Sequence, residues 1–388
     1  MQTKIRHGEN EGKFAPIHHA ASSRRLIKRK MDPISNEHHR WRLPAEWETQ
    51  EFVQFTWPHE DTDWQPILPQ ITATYVQMAV EIARRERLVI VSPRPEEAIE
   101  AIGMVAEKTI LDNITTFACP TDDTWARDHA FISLTDGSRR RLLDFRFNGW
   151  GDKFEAEKDN AINRRLYEAG MVEGEYADHN GFVLEGGSIE SDGRGTVFTT
   201  TGCLLAPNRN QPMTQQEIDS YLRKTLCADR IIWINNGNLT GDDTDGHIDT
   251  LVRIAPNDTL LYVGCDDPTD EQYGELHAME QQLRSLATTD GHPYRLLKLP
   301  MPRPIYHDGE RLPATYANFL AINGAILYPT YAQDDLDDEA ASIMREAFPG
   351  LEVVGIDCRS VIMQHGSLHC CTMQYPSAGH GDDAAGTL

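Results

Sequence analysis

One acidic segment combines carboxylates with a histidine in a way that could support chemistry. Residues 241–249 hold four aspartates and His247, and an apolar run follows at 250–254. If that run is a strand, its period of two places His247 and Asp249 on the same face, where both could meet one bound group. Taken alone, the segment is more simply interpreted as a solvated acidic turn ahead of a strand.

The spacing within this acidic segment disfavours metal binding. An EF-hand loop would need an acidic residue at its closing position, and none is present there. A zinc site would need further His or Cys ligands at a recognisable spacing, and none is nearby in the sequence. The sequence therefore predicts no metal site.

Two further carboxylates lie where a ligand could approach the chain. Glu185 ends an apolar run and is followed by two glycines, which allow another backbone or a ligand to come close. Asp128 shares a short segment with Trp125 and Arg127. Taken one at a time, Glu185 is more simply a solvent-facing acid and Arg127 a partner in a surface ion pair.

The segment 365–372 contains a possible nucleophile. Cys370 and Cys371 follow glycine and histidine residues, and a reactive thiolate needs access together with a nearby proton acceptor or positive charge. In an extended segment the two side chains face opposite ways, so one could line a cleft while the other is buried. Taken alone, the segment is more simply interpreted as holding buried, non-catalytic thiols, and a catalytic thiol is the alternative.

Alternating apolar and amphipathic stretches must position these groups. Hydrophobic periodicity predicts strands at 52–57, 87–92, 131–134, 141–147, 196–205, 231–234, 259–264, 319–329 and 351–356, and helices near 69–86, 94–107, 155–169, 214–226, 270–288 and 337–348. The fourth helix begins with a capping-box pattern from Thr214 to Glu217. The excess of strands argues against a simple doubly wound sheet and favours a repeated unit of several short strands plus one helix.

Composition narrows the class of partner. The chain has 388 residues, 40% of them hydrophobic, and no apolar run reaches the ~18 residues of a membrane helix. Lys and Arg number 37 against 60 Asp and Glu, and the net charge of −23 repels phosphate backbones while attracting small cations. Neither nucleic acid nor a membrane is expected as a partner.

The seven cysteines are an odd number without a CxxC pair, and no export signal is visible, which favours reduced thiols in the cytoplasm.

The chain divides into one large domain and two ends. No flexible linker is visible between residues 45 and 376, so we expect a single domain at 41–376. Residues 1–30 hold eight basic side chains against two acidic ones, and 1–40 are expected to form a disordered basic arm. A targeting sequence, or a true start at Met31, is the alternative. The small, polar tail at 377–388 is also expected to be disordered.

Five motifs, taken in their order along the chain, resemble one family. They are Trp-x-Arg-Asp at 125–128, Phe-Asn-x-Trp-Gly at 147–151, Glu-Gly-Gly at 185–187, Gly-His-x-Asp at 246–249 and His-Cys at 369–370. This order resembles the agmatine deiminases and the related bacterial-type peptidylarginine deiminases of the guanidino-group-modifying superfamily, from about residue 41 to 376. The resemblance implies an α+β fold, a five-bladed α/β propeller of pseudo-fivefold ββαβ repeats, formed by a single catalytic deiminase domain. It also allows a homodimer.

The resemblance also implies an activity and a set of site residues. The reaction is hydrolysis of agmatine to N-carbamoylputrescine and ammonia through an amidino-cysteine intermediate, a step of putrescine biosynthesis and polyamine metabolism. Neither a metal nor an organic cofactor is required. By resemblance the nucleophile is Cys370, the acid–base histidine is His247, the acids that hold the guanidinium are Asp128, Asp249 and Glu185, and Trp125 lines the substrate channel.

Elementary chemistry is consistent with these roles and leaves the substrate open. A guanidinium is planar and charged at any physiological pH, so carboxylates at its edges can hold it by bidentate hydrogen bonds. Agmatine is favoured because it is a dication that suits an acidic chain, and because no export signal and no extra domain for docking a protein are visible. Arginine or peptidylarginine is the nearest alternative substrate. A non-catalytic guanidine or polyamine binder is the alternative from another class, and the complete set of Cys370, His247 and acids argues against it.

Overall fold

The computed structural model describes residues 41–378. The basic arm predicted at 1–40 and residues 379–388 of the predicted tail lie outside the described residues. In the described part, the strands are β1 (Gln50–Thr56), β2 (Arg87–Ser92), β3 (Ile114–Ala118), β4 (Ile132–Thr135), β5 (Arg140–Arg146), β6 (Glu175–Val183), β7 (Ile189–Ser191), β8 (Thr196–Thr200), β9 (Arg230–Ile234), β10 (Val252–Ala255), β11 (Thr259–Val263), β12 (Arg295–Leu299), β13 (Tyr306–His307), β14 (Glu310–Arg311), β15 (Leu320–Ile322), β16 (Ala325–Thr330), β17 (Glu352–Asp357) and β18 (Thr372–Pro376).

Helices lie between many of these strands. They are α1 (Leu68–Ala83), α2 (Pro95–Gly103), α3 (Lys108–Leu111), α4 (Ala126–His129), α5 (Gly149–Asp152), α6 (Glu157–Asn160), α7 (Ile162–Glu168), α8 (Thr201–Leu204), α9 (Gln215–Thr225), α10 (Tyr273–Ser285) and α11 (Asp334–Ala347). Short 3-10 helices at Gly186–Ser188, Ile248–Thr250 and His369–Cys371 matter most below, because each carries or adjoins residues of the candidate site.

Five sheets share one pairing pattern. In the sheet β4-β5-β6, β5 pairs antiparallel with β4 and parallel with β6. A parallel neighbour can be reached only through a crossover, and α5 to α7 provide it. The same pattern recurs in β7-β8-β9, β10-β11-β12 and β15-β16-β17. The repeated unit of several strands and a helical connection follows the pattern predicted from the sequence.

The fifth sheet, β18-β1-β2-β3, joins the two ends of the described chain. Strand β18 is antiparallel to β1, and β1 is parallel to β2. Phe52 lies opposite Tyr375, and their rings stack with centroids 4.2 Å apart. The segment just before β18, which carries Cys370, is thereby anchored to the first strand.

The architecture is a mixed α+β fold. The closure of the five sheets into a propeller stays a prediction, since the strand pairings give no closed sheet. Among residues 41–378, no helix has both the length and the apolar character needed to cross a membrane.

Most predicted elements are confirmed to within a few residues, and the errors have local causes. The strand at 87–92 coincides with β2, and Thr214 forms the capping box with Glu217 at the start of α9. The strand predicted at 196–205 ends at Thr200, whose side chain accepts a hydrogen bond from the Cys203 backbone N–H and so begins α8. The strand predicted at 319–329 is a hairpin of β15 and β16, because Gly324 adopts a φ of +80° between them.

Candidate active site

The nucleophile segment is helical where an extended segment was expected. Cys370 lies in the 3-10 helix His369–Cys371, so the difference between the two thiols does not arise from an extended backbone. Their surroundings nevertheless differ. Cys370 is 4% exposed and lines a cavity of about 190 Å³, whereas the Cys371 thiol is fully buried and donates to the Ser367 carbonyl at 3.4 Å.

An amide oxygen and a carboxylate oxygen lie beside the Cys370 thiol. Its Sγ lies 3.4 Å from Oδ1 of Asn318 and 3.9 Å from Oδ2 of Asp249. Burial raises the pKa of Cys370 well above its ordinary value, and the charges of Asp249 and Asp128 raise it further. This environment favours the thiol over the thiolate in the free enzyme.

His247 and Asp249 come together without the predicted strand. The strand begins only at Val252, and Ile248–Thr250 form a 3-10 turn. Both side chains are fully buried, so the interpretation as a solvated acidic turn is also wrong for these two residues. The backbone N–H of His247 donates to Oγ1 of Thr244 at 3.1 Å, which fixes the start of the turn.

A second histidine orients Asp249. Nδ1 of His369 lies 2.7 Å from Oδ2 of Asp249, and Nε2 lies 2.8 Å from Oε2 of Glu46. Burial works to raise the pKa of Asp249, but the hydrogen bond and charge of His369 outweigh it, and the pKa is lowered. Oδ1 of Asp249 is buried and has no hydrogen-bond partner among the described residues, so it can receive a donor from a ligand.

Asp128 is held by one donor on each oxygen. Oδ1 accepts from the Gly187 backbone N–H at 3.0 Å, and Oδ2 accepts from Nε1 of Trp150 at 2.9 Å. Burial raises the pKa of Asp128 to about 6, although the nearby charge of His247 opposes that shift. Nδ1 of His247 is 3.7 Å from Oδ1 of Asp128.

Glu185 is buried and does not face solvent, in contrast to the simpler interpretation from its local sequence. It has no exposed surface, and its Oε1 accepts from Nε of Arg209 at 2.9 Å. Its Oε2 has no hydrogen-bond partner among residues 41–378. Arg209 is itself held by Asp245, so it stabilises the carboxylate from behind.

His247 has the environment of a proton donor. Within the described chain, neither ring nitrogen meets a hydrogen-bond partner. Burial works to lower the pKa of His247, but the charge of Asp128, followed by interactions with Cys203 and Glu185, raises it well above its ordinary value. An imidazolium in this position could give a proton to a leaving group.

Gly187 lies where these side chains converge. A Cβ atom placed on Gly187 would come within 2.6 Å of Nδ1 of His247, 2.9 Å of Oδ1 of Asp128 and 3.1 Å of Oδ2 of Asp249. No side chain larger than hydrogen fits there without displacing those groups. From the sequence, the glycines after Glu185 were expected to let a backbone or ligand come close. At Gly187, the groups that come close are the side chains of His247, Asp128 and Asp249.

Trp125 and Arg127 are both buried, but only Trp125 lines the cavity. Trp125 lines the cavity, donates from Nε1 to Oδ2 of Asp123 at 2.9 Å, and packs so closely on Gly366 that a Cβ there would lie 2.1 Å from its ring. Arg127 is buried and donates to Gln374, so the surface ion pair expected from its local sequence is wrong.

The fold therefore brings together all of the predicted site residues, and it adds others that the sequence analysis missed. Trp150 lies in one of the recognised motifs, and His369 adjoins the nucleophile, so both had a signal in the sequence. Asn318 and Arg209 had none. A carboxylate oxygen of Glu185, the Cys203 sulfur and a ring nitrogen of His247 also lie within 4.8 Å of one another, a set that could hold a metal ion.

The chain is similar in sequence and in fold to agmatine deiminases and to a structure named as an arginine deiminase. The chain is 32% identical over 365 residues to the agmatine deiminase of Stutzerimonas stutzeri, covering 86% of this chain and 95% of that protein. A substrate-bound cysteine-to-serine variant of the agmatine deiminase of C. jejuni has 36% identity and a TM-score of 0.80, covering 87% of this chain and 96% of that one. A structure named "Putative Arginine Deiminase" from Porphyromonas gingivalis has 47% identity and a TM-score of 0.83, covering 87% of this chain and 99% of that one.

A family model matches nearly all of the described residues. The match runs over residues 42–376 and includes every residue of the site above. With buried carboxylates around a thiol and a histidine, and with relatives above 30% identity along most of their length, the chain belongs to the family of Porphyromonas-type peptidyl-arginine deiminases.

Proposed function

We propose that this protein is an agmatine deiminase, a hydrolase that acts on a C–N bond of a linear amidine. It would convert agmatine and water into N-carbamoylputrescine and ammonia. The observation that carries the proposal is the convergence of Asp128, His247 and Asp249 on Gly187, beside the Cys370 thiol. The names of relatives such as the agmatine deiminase of Pseudomonas fluorescens, at 34% identity, support the same activity.

Binding of the guanidinium comes first. Oδ1 of Asp249 and Oε2 of Glu185 are buried acceptors without a partner among the described residues, and leaving such groups unpaired costs about 1–3 kcal/mol each. The N–H groups of a guanidinium would satisfy them, and Asp128 would add a third negative charge. The clamp would hold the central carbon of the guanidinium near Sγ of Cys370.

Formation of the covalent intermediate follows. The positive charge of the bound guanidinium would favour the Cys370 thiolate, because it offsets the carboxylates that oppose ionisation, and the thiol proton would pass to solvent. The thiolate attacks the guanidinium carbon and forms a C–S bond. His247 then gives its proton to the departing nitrogen, the C–N bond breaks and ammonia leaves, so an amidino-cysteine remains.

Hydrolysis completes the cycle. The His247 imidazole, now neutral, would accept a proton from water as the water oxygen attacks the same carbon. The C–S bond breaks, and the ureido product and the Cys370 thiol are released. Each bond made to sulfur is broken again, so no external oxidant, reductant or cofactor is consumed.

The charge of the cavity favours agmatine over arginine. Asp63, Asp123 and Asp243 line the cavity, whereas none of the lining residues in the described chain is Lys or Arg. A carboxylate on the substrate would find no guanidinium or ammonium partner there, while the distal ammonium of agmatine would meet negative charge. We infer that this cavity selects a dication.

The substrate assignment is tested by measuring ammonia and ureido product with agmatine, arginine and a blocked arginine peptide side by side. We expect kcat/KM for agmatine to be at least about 100-fold higher, which corresponds to roughly 2.7 kcal/mol of discrimination. n-Butylguanidine lacks only the distal ammonium of agmatine and should react with a higher KM. In Asp63→Asn, the ratio of the KM for n-butylguanidine to the KM for agmatine should be smaller than in the wild-type enzyme. Preference for the peptide would overturn the agmatine assignment, and silence with all substrates would favour a binding protein.

Three finer expectations belong to the same proposal. We propose that residues 41–376 are one catalytic domain whose five similarly paired sheets close into a five-bladed propeller. A reducing compartment such as the cytoplasm suits a thiol nucleophile, and the Cys370 thiol forms no disulfide within the described part of the chain. A homodimer would be tested by light scattering on the purified full chain.

A further inference from the structure

A buried sulfur, a carboxylate and an imidazole meet beside the nucleophile. A carboxylate oxygen of Glu185, Sγ of Cys203 and a ring nitrogen of His247 lie within 4.8 Å of one another, and all three residues are buried. They come from separate elements, because Glu185 follows β6, Cys203 lies in α8 and His247 precedes a 3-10 turn. The spacing in the sequence disfavours zinc only for ligands close together in the chain, whereas the fold brings together residues that are far apart in sequence.

The polar atoms of this cluster lie close together, yet several of them have no hydrogen-bond partner among the described residues. Oε2 of Glu185 and both ring nitrogens of His247 lack hydrogen-bond partners among the described residues. Sγ of Cys203 lies within 4.8 Å of a ring nitrogen of His247, close enough for a weak S–H···N interaction that does not reach the geometry of a full hydrogen bond. Buried polar atoms are nearly always paired in native proteins, so an unpaired set of this kind indicates a bound group.

The proposed deimination accounts for only part of the cluster. A guanidinium would use the carboxylate, and proton transfer would use His247, but no step uses Cys203. We propose that Glu185, Cys203 and His247 form a site for one thiophilic divalent cation of the zinc class, which competes with the guanidine substrate. The inhibition rests on the proposed function, whereas the binding itself does not.

The donor types match such a cation. Sulfur, imidazole nitrogen and carboxylate oxygen are the ligands that Zn²⁺ takes, and three protein ligands leave a fourth position for water. Soft thiolate together with imidazole disfavours Mg²⁺ and Ca²⁺, which prefer oxygen ligands. The ligand types of the cluster therefore favour a zinc-class cation over Mg²⁺ or Ca²⁺.

The surrounding charges also favour a dication. On binding, Cys203 loses its thiol proton and His247 loses its second ring proton, and both protons pass to solvent. The Cys203 thiolate and the Glu185 carboxylate then balance the two positive charges. Arg209 binds Oε1 of Glu185 and leaves Oε2 for the metal, and its own charge is offset by Asp245.

Metal binding would block the reaction because it would occupy His247 and Glu185, which the reaction needs. The cation would occupy the lone pair with which His247 must handle protons, and the oxygen with which Glu185 would hold the guanidinium. We expect Zn²⁺ to inhibit competitively with agmatine and a chelator to restore activity.

Cobalt titration of Cys370→Ser protein tests the site without turnover. Removing the nucleophile excludes it as a ligand, and Co²⁺ bound to a thiolate gives a ligand-to-metal charge-transfer band. We expect one Co²⁺ per chain with this band in Cys370→Ser. Adding Cys203→Ser should abolish the band and weaken binding by on the order of 100-fold, since even outer-shell changes cost about 10–100-fold. Adding Cys265→Ser, a buried cysteine outside the cluster, should change neither.

X-ray absorption on zinc-loaded Cys370→Ser protein removes any dependence on how Cys203→Ser folds. We expect one sulfur neighbour at about 2.3 Å and nitrogen or oxygen neighbours at about 2.0–2.2 Å. Absence of sulfur, absence of saturable binding, or survival of the cobalt band after Cys203→Ser would overturn the metal site. Intact cobalt binding in a wild-type protein that releases no ammonia would instead refute the deiminase function alone.

Discussion

The indole Nε1 of Trp150 donates a 2.9 Å hydrogen bond to Oδ2 of Asp128, and this bond links the Phe-Asn-Gly-Trp-Gly motif to the candidate site. Trp150 adopts a left-handed conformation with a φ of 56°, which turns its ring toward the cavity. Because burial, followed by the charges of Asp249 and Glu185, raises the pKa of Asp128, the indole N–H helps to keep this carboxyl ionised.

Replacing Trp150 with phenylalanine should weaken catalysis and shift its pH dependence. Trp150→Phe keeps an aromatic ring but removes the donor, so the pKa of Asp128 should rise from about 6 and the acidic limb of the kcat/KM profile should move to higher pH. A hydrogen bond to a charged group is worth about 1.5–3 kcal/mol, so kcat/KM should fall about 10–100-fold near neutral pH. Trp233→Phe, which removes an indole bond to Asp219, is the control and should leave the profile unchanged.

Adding one methyl group at Gly187 should greatly reduce kcat/KM while preserving the fold. In Gly187→Ala the new Cβ would lie 2.6 Å from Nδ1 of His247 and 2.9 Å from Oδ1 of Asp128, so both groups must move. Displacements of that size can cost about 100-fold in rate, and we expect at least that loss in kcat/KM. Gly181→Ala is the matched control, because its Cβ meets no atom within 4 Å. Near-normal turnover by Gly187→Ala would contradict the proposed geometry.

The two adjacent thiols should differ sharply under the same substitution. Cys370 lines the cavity, whereas the Cys371 thiol donates to a backbone carbonyl away from it. Cys370→Ser should abolish ammonia release, and Cys371→Ser should largely preserve it. Rapid-quench mass spectrometry should find the amidino adduct only on Cys370. Equal losses in the two variants would refute the choice of nucleophile.

The sequence predicts local elements and motif residues well, and it predicts their partners poorly. The strand at 87–92 and the cap at Thr214 depend on nearby residues, so periodicity and capping patterns were sufficient. Placing His247 beside Asp249 succeeded for a different reason from the one argued, since the segment turns through a 3-10 helix. The motifs, and not the assumed strand, carried that prediction.

Contacts between distant segments could not be predicted in the same way. Arg209 reaches Glu185 from a loop after α8, and Asn318 reaches Cys370 from the segment before β15. Neither contact has a local signature, because it depends on how separate sheets pack. The same packing brings Cys203 to His247 across the chain, which no ligand spacing in the sequence reveals.

One buried carboxyl outside the site should control how stability varies with pH. Glu86 accepts hydrogen bonds from the backbone and side-chain N–H groups of Asn323, and burial raises its pKa to about 7. Between about pH 4.3 and 7 the folded state therefore binds more protons than the unfolded state, so the stabilising contribution of Glu86 is lost as pH rises. Relative to wild type, Glu86→Gln should gain of order 1–3 kcal/mol in free energy of unfolding from pH 4 to pH 8, measured by urea titration. The same gain with Glu96→Gln, at an exposed position, would refute this origin.

Alkylation of the free enzyme should show that the nucleophile rests as a thiol. Burial, followed by the charges of Asp249 and Asp128, raises the pKa of Cys370, and only the thiolate reacts with iodoacetamide. The rate of inactivation should therefore increase about tenfold per pH unit from pH 6, without a plateau below about pH 9, where an ordinary thiol of pKa about 8.5 would already level off. Peptide mass spectrometry should assign the inactivating label to Cys370. In Asp249→Asn the nearer charge is removed, so the same profile should move to lower pH. A plateau below pH 7 in the wild-type enzyme would instead indicate a resting thiolate paired with the His247 imidazolium, and would remove the need for the substrate to generate the nucleophile.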